Sequence, residues 1–236
     1  MKYMTKKILF ITATHGDEKL GVEILKDLNN KDLGSEFDSI IGNPKALQEN
    51  KRFIEDDLNR IFPGKKTGNY EERRAVEIIS VAKKYDWVID IHGSVSPTGI
   101  FVIVTKFNLA NMLLALRFDI KRIVIWADAP ECTGSLSTFM PAGIEIESGY
   151  RDDPLIKKDL VKKLKKFLMN LDKNYNTIEE LKKKEIYYYT GKLKKSDCQK
   201  PASLQNWKKI NDYYPLFVDG QYSELWCYKF KKLEFK

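Results

Sequence analysis

Two histidines occur in the 236-residue chain, His15 and His92, and each lies just past a short apolar run. His15 opens the segment His-Gly-Asp-Glu18 after the run Ile8 to Ile11. On a turn, an imidazole and a carboxylate three residues apart can be aimed at one point, and His92, after Trp87 to Ile91, can add the second imidazole. Two imidazoles and one carboxylate leave the fourth position of a tetrahedral zinc ion open to water. Such a centre lowers the pKa of that water to about 7 and polarises a substrate carbonyl. An HxxE pair by itself is a weak signal whose ordinary reading is a loop, and the second histidine is what lifts it. Asp90, two residues before His92, either orients that imidazole from behind or simply ends the strand.

A second group comprises Asn43-Pro-Lys-Ala46, Arg52, and Asp56-Asp-Leu-Asn-Arg60. Its plain reading is a polar loop with surface ion pairs. Its functional reading is an anion grip, in which guanidinium groups hold a carboxylate in bidentate fashion and Asn59 adds an amide donor. An arginine beside a polarised carbonyl also stabilises the oxyanion. The third group is Gly143-Ile-Glu-Ile-Glu147, where Glu145 and Glu147 alternate onto one face of an otherwise apolar strand. Solvent exposure is the usual fate of such residues; facing a metal, one of them is suited to move a proton from water to a leaving nitrogen.

The elements that must position these groups alternate between the two periodicities. Residues 7–13, 87–91, 100–104, 122–126 and 142–146 read as strands, while 21–28, 71–85 and 108–116 carry apolar residues at helical spacing. Asp153 followed by Pro154 predicts a helix start, and the lysine-rich helix runs to about Leu171. This alternation predicts an α/β sheet with helices on both faces, and ligands of such sheets gather at the carboxyl ends of strands, where His15 and His92 fall. After Asn174 the texture changes to short Tyr-, Phe- and Val-rich runs broken by Gly191, Pro201, Pro215 and Gly220. Residues 175–236 therefore read as a small β-rich C-terminal domain beside a 1–174 domain that carries the chemistry.

Composition bounds the function classes. Hydrophobic residues make up 43% of the chain, enough for a packed core, and Cys132, Cys198 and Cys227 form no CxxC pair, so neither a disulfide framework nor a thiolate zinc cluster is expected. The apolar run near the N-terminus is too short for a secretory or membrane segment, so the expectation is a cytoplasmic protein. A net charge of +8 points to an anionic partner, a small acidic substrate or a nucleic acid. Much of the excess lies in 157–166 and 182–195 without interleaved stacking aromatics, which reads as solvated faces.

Taken together, His15-Gly-Asp-Glu18, Asn43-Pro-Lys-Ala46, Arg52 through Asp57-Leu-Asn-Arg60-Ile-Phe62, Asp90-Ile-His92 and Gly143-Ile-Glu145 resemble the succinylglutamate desuccinylase and aspartoacylase family, a branch of the zinc carboxypeptidase-like hydrolases. The resemblance implies a zinc-carboxypeptidase-like mixed sheet with a C-terminal all-β domain covering one side of the pocket. It implies one zinc held by His15, Glu18 and His92, with Glu145 as general base and then acid. It further implies that Arg52 polarises the scissile carbonyl, that Asn59 and Arg60 clamp a substrate carboxylate, and that Tyr222 reaches the substrate. The sequence also departs from the family. Where aspartoacylase-like members carry a tyrosine and an arginine before the Gly-Ile-Glu strand, residues 131–139 hold Gly134, Ser135, Ser137 and Thr138 and no arginine, so the second carboxylate grip is missing or rebuilt, with Arg151 as one candidate. Participation of Glu147 is left open.

The leading expectation is a zinc-dependent amidohydrolase, a deacylase cleaving a small carboxylate-bearing N-acyl amino acid with metal-activated water. A zinc carboxypeptidase acting on peptide or cell-wall fragments uses the same machinery and is the close alternative. A non-catalytic basic module for nucleic acid ranks below both, and steeply salt-dependent binding would reveal it. A homo-oligomer is compatible with everything in the sequence.

Overall fold

A computed structural model describes residues 6–28, 33, 36–127, 129–150, 153–171, 176–220 and 222–234. Its centre is a nine-stranded sheet built from β1 (Ile8–Thr12), β2 (Asp38–Ile41), β3 (Trp87–Ser94), β4 (Phe101–Val104), β5 (Arg122–Ile125), β6 (Gly143–Tyr150), β7 (Glu185–Lys194), β8 (Tyr214–Leu216) and β9 (Leu225–Lys232). The strand order is β2-β1-β3-β6-β4-β5-β7-β9-β8. β4 meets β6 antiparallel, and β9 runs antiparallel to both β7 and β8; the other neighbours are parallel. The predicted mixed α/β sheet is thus present, and β2 is added at an edge, where its mostly exposed residues carry no strand alternation.

Helices cover both faces. On one side α1 (Leu20–Asp27), α4 (Leu109–Leu116) and α5 (Pro154–Leu168) bury Ile24, Leu114, Leu160 and Leu164 against Phe10, Ile89, Ile91, Val102, Ile144 and Ile146. On the other side α3 (Tyr70–Ala82) packs Ala75, Ile78 and Ala82 on Leu9, Ile11 and Val88. Local chemistry sets the helix starts. Asn69 accepts from Glu72 N while the Glu72 side chain accepts from Asn69 N, a full capping box, and Asp153 accepts from Leu155 N ahead of Pro154. The stretch read as a polar loop at 43–46 begins a short helix, α2 (Pro44–Glu49), with Asn43 as its cap.

The C-terminal segment is β-rich as expected, preceded by a short helix, α6 (Thr177–Lys182). Its strands continue the central sheet, because β7 pairs in parallel with β5, Ile123 opposite Ile186. We propose the boundary near residue 174 as a change of texture, not a break in the sheet. An aromatic layer of Trp126, Tyr187, Trp207, Phe217, Tyr228 and Phe230 covers this half on the face that α3 covers at the other end. Between α3 and the aromatic layer, the middle of that face is polar.

Candidate active site

The pleat explains the polar patch. Ile89, Ile91, Ile144 and Ile146 point into the core under α1 and α5, so Asp90, His92, Glu145 and Glu147 point to the opposite face. The parallel register of β3 and β6 sets Asp90 opposite Glu145 and His92 opposite Glu147. β3 continues to Ser94, so His92 sits within the strand end and not in the following loop. His15 arrives from the neighbouring β1, where Ala13 adopts a left-handed conformation (φ 51°) that turns the chain. The tight turn needs Gly16: a Cβ there would lie 2.0 Å from the backbone of Ala46 in α2.

These elements bring His15, Glu18 and His92 together, all buried, with one ligand atom from each within 4.8 Å of the others. Glu18 stands between the imidazoles: its Oε1 is 2.8 Å from His15 Nδ1, and its Oε2 is 3.1 Å from His92 Nδ1 and accepts from Gly93 N at 3.0 Å. Each imidazole is backed by a carboxylate at its far nitrogen. His15 Nε2 is 2.9 Å from Asp57 Oδ1, and His92 Nε2 is 3.1 Å from Asp90 Oδ2, within ion-pair range but off hydrogen-bond geometry. Asp90 is itself held by Thr14 Oγ1 at 2.9 Å.

Electrostatically the cluster is an anionic hole. Burial works against the charged form of every member, yet Glu18 lifts the pKa of His15, Asp90 lifts that of His92, and the histidines hold Glu18 well below the usual carboxylate range. The donor set therefore fits a divalent cation: two imidazoles and a carboxylate converge, with carboxylates behind both rings. These three residues could hold a metal ion.

Arg52 closes the corner. Its Nε and Nη2 donate to Asp57 Oδ2 at 3.2 and 3.1 Å, and its Nη1 donates to Glu18 Oε1 at 3.3 Å. The loop carrying it hangs on the buried Glu71, whose carboxylate accepts from Asn43 Nδ2 and from the backbone N–H groups of Ile54, Glu55 and Asp56.

Glu145 and Glu147 differ sharply. Glu145 Oε1 accepts from Ser135, from Ser137 at 3.1 Å and from Asn59 Nδ2 at 3.5 Å. Glu147 Oε2 is buried with no partner among the described residues, and burial pushes its carboxyl up to about 7. Asn59 is occupied at both ends, since its Oδ1 accepts from Leu136 N. Arg60 donates from Nη1 to Asn59 O at 2.9 Å and from Nη2 to Tyr222 Oη at 2.8 Å, which joins the C-terminal segment to the site. Gly134 permits this packing, because a Cβ would fall 1.8 Å from Arg60 O.

All eight expected site residues line one cleft, together with Glu147, Trp126, Glu131, Cys132, Phe217 and Tyr228. Arg151 lies outside the described residues. Sequence reasoning overlooked Asp57 as the partner of His15, and Glu71 altogether. Glu71 had a signal: it shares a helical face with Ala75, Ile78 and Ala82, where a carboxylate must be internally satisfied. For Trp126, Glu131 and Tyr228 there was none.

Comparison with known proteins identifies the family and the fold. Residues 4–168 match the family model described as the succinylglutamate desuccinylase/aspartoacylase catalytic domain. A probable aspartoacylase of Prochlorococcus marinus strain MIT 9301 is 29% identical over 251 residues, covering 92% of this chain and 82% of the relative. That of strain MIT 9515 is 30% identical, covering 90% and 82%. The fold resembles a succinylglutamate desuccinylase from Chromobacterium violaceum (TM-score 0.75, 17% identity, 98% of this chain and 86% of that one). Murine aminoacylase 3 is similar (TM-score 0.70, 17% identity, 99% and 97%). The chain belongs to the succinylglutamate desuccinylase/aspartoacylase family and is a hydrolase of amide bonds.

Proposed function

We propose that the protein is a zinc-dependent deacylase of small N-acyl amino acids, and the observation that carries this is the buried His15-Glu18-His92 convergence with a carboxylate behind each imidazole. Zinc in such a site supplies Lewis acidity toward the amide carbonyl and acidifies water. Arg60 and Tyr222, already joined at 2.8 Å, hold the carboxylate of the substrate, and Asn59 orients both Arg60 and Glu145. Arg52 keeps Glu18 and Asp57 in place and lends positive charge to the carbonyl oxygen as it becomes anionic.

Glu145 was the base favoured from the sequence. The free, buried Oε2 of Glu147 beside His92 supports Glu147 for that role: it takes a proton from the attacking water and returns it to the leaving nitrogen. Glu145, tied to Ser135 and Ser137, then fixes the floor of the cleft. Phe217, Gly220 and Tyr222 wall the cleft from the C-terminal side, which favours small substrates over the peptides of a carboxypeptidase.

The test is the metal content of wild type and His15→Ala, followed by hydrolysis of acetyl, succinyl and formyl amino acids by the zinc-loaded protein. One zinc per wild-type chain, lost in the variant, and release of a free amino acid are expected. Zinc-loaded protein that leaves every acyl amino acid intact would overturn the deacylase reading.

A further inference from the structure

The far wall of the cleft contains two buried polar atoms that the proposed chemistry does not use. Trp126, 6% exposed, has no partner for its Nε1–H, and Glu131 has none for Oε2, among the described residues. Both residues line the cleft with Tyr228 and Phe217. Tyr228 connects them: its ring lies 4.8 Å from that of Trp126 and under the Nζ of Lys192, the ion-pair partner of Glu131, and it lies 5.5 Å from Tyr222, the partner of Arg60, while the Trp126 ring also lies 5.8 Å from that of Phe217. Buried donors and acceptors without partners are rare in folded proteins, and a pair of them in a ligand cleft points to a group that arrives from outside.

The charge of that group follows from Lys192. It forms an ion pair with Glu131 Oε1 and is not among the residues lining the cleft, so the carboxylate charge is matched from behind while Oε2 remains an acceptor. A second substrate carboxylate placed here would meet Glu131 Oε2 as a like charge. An ammonium would bond Glu131 but leave the Trp126 N–H unmet. A carboxamide carries both complements, an NH₂ to donate to Glu131 and a carbonyl to accept from Trp126 Nε1.

We propose that Glu131 and Trp126 form a specificity subsite for an uncharged carboxamide, so that the substrate carries one carboxylate, held by Arg60 and Tyr222, and an amide at its far end. This rests on the deacylase reading for the place of the scissile bond, and on the cleft alone for its selectivity.

The experiment measures calorimetric Kd and kcat/KM of the zinc-loaded protein for matched pairs. Acetylasparagine against acetylaspartate and acetylglutamine against acetylglutamate alter the side chain, succinamoylglycine against succinylglycine alters the acyl end, and acetylornithine supplies an ammonium. The amide should bind ~10-fold or more tightly than its carboxylate in at least one pair, the size expected for a hydrogen bond to a charged acceptor. E131Q should bring that ratio to about unity, and W126F should weaken the amide alone by roughly 2- to 10-fold. K192M leaves Glu131 uncompensated and should turn preference toward acetylornithine, which keeps the idea testable should E131Q fail to fold. Equal binding within every pair, preference for the carboxylate or ammonium in wild type, or a ratio unmoved by E131Q would overturn the subsite. Amide-selective, Glu131-dependent binding without hydrolysis would sustain the subsite and sink the deacylase reading. Absence of binding by every compound would sink both.

Discussion

The metal-binding corner and the far wall of the same cleft are built on opposite plans. The corner takes its residues from the ends of the neighbouring strands β1, β3 and β6 and from the loop holding Arg52 and Asp57, and its imidazoles, Glu18 and Arg52 all face charged partners within ion-pair range, with Glu147 Oε2 the unmatched acceptor among them. The far wall takes Trp126 from just beyond β5, Glu131 from a short 3-10 turn and Tyr228 from β9; it is mostly aromatic, and its unmatched polar atoms are Trp126 Nε1 and Glu131 Oε2. A preorganised charged cluster fits a reaction centre, whose geometry must precede the substrate. An apolar wall with a few polar atoms fits selection among substrates. On this view, variants in the corner remove turnover and variants in the wall change what is turned over.

The largest effect should come from the corner. His92→Ala or a strong chelator should abolish zinc and hydrolysis together, and restoring zinc should rescue the chelated wild type alone; retention of stoichiometric zinc by His92→Ala would break the comparison at its root. Next, Glu147→Gln should lower kcat by roughly 10²- to 10⁴-fold with zinc retained, the usual range for a lost general base. Glu145→Gln should cost less in kcat and more in thermal stability, because it disturbs the Ser135 and Ser137 contacts. The reverse order would return the base to Glu145.

The pH profile carries a sign. The base must be ionised, and burial pushes Glu147 upward to about 7, while a bound dication pulls it back down. The acid limb of kcat/KM should therefore rise with pH, with a midpoint at or below about 7, and it should vanish in Glu147→Gln. Asp57→Asn sharpens the role of the carboxylate behind His15, with zinc affinity expected to fall about 10- to 100-fold as measured by competition with a chromogenic chelator.

Smaller effects belong outside the corner. Tyr222→Phe removes the contact with Arg60 and should raise KM by roughly 2- to 10-fold, leaving zinc content unchanged. Asn69→Ala, which breaks the capping box of α3, should cost about 1 kcal/mol of stability in denaturant titration without altering substrate preference.

Much of the fold was open to reading because its signals are local. Apolar runs of β-branched residues marked the central strands, helical spacing marked α3 and α4, and Asp153-Pro154 marked the start of α5. Among the elements that escaped, β2 and α2 are short; what holds them is pairing with β1 and the buried Asn43 to Glu71 bond, neither visible in a window of sequence.

The candidate site divides in the same way. Residue type and spacing alone singled out His15, Glu18 and His92, because few side chains ligate zinc and the chain holds only two histidines. Alternation on one strand narrowed the base to Glu145 or Glu147 but could not separate them, since both occupy the same face. The family resemblance chose Glu145, and the grounds for proposing Glu147 instead come only from tertiary structure: the hydroxyls of Ser135 and Ser137 come from another segment and engage Glu145, while strand register sets Glu147 opposite His92. The far wall was beyond sequence altogether, because strand pairing and aromatic packing bring residues about a hundred positions apart into contact, and no local pattern encodes which long-range partners will meet.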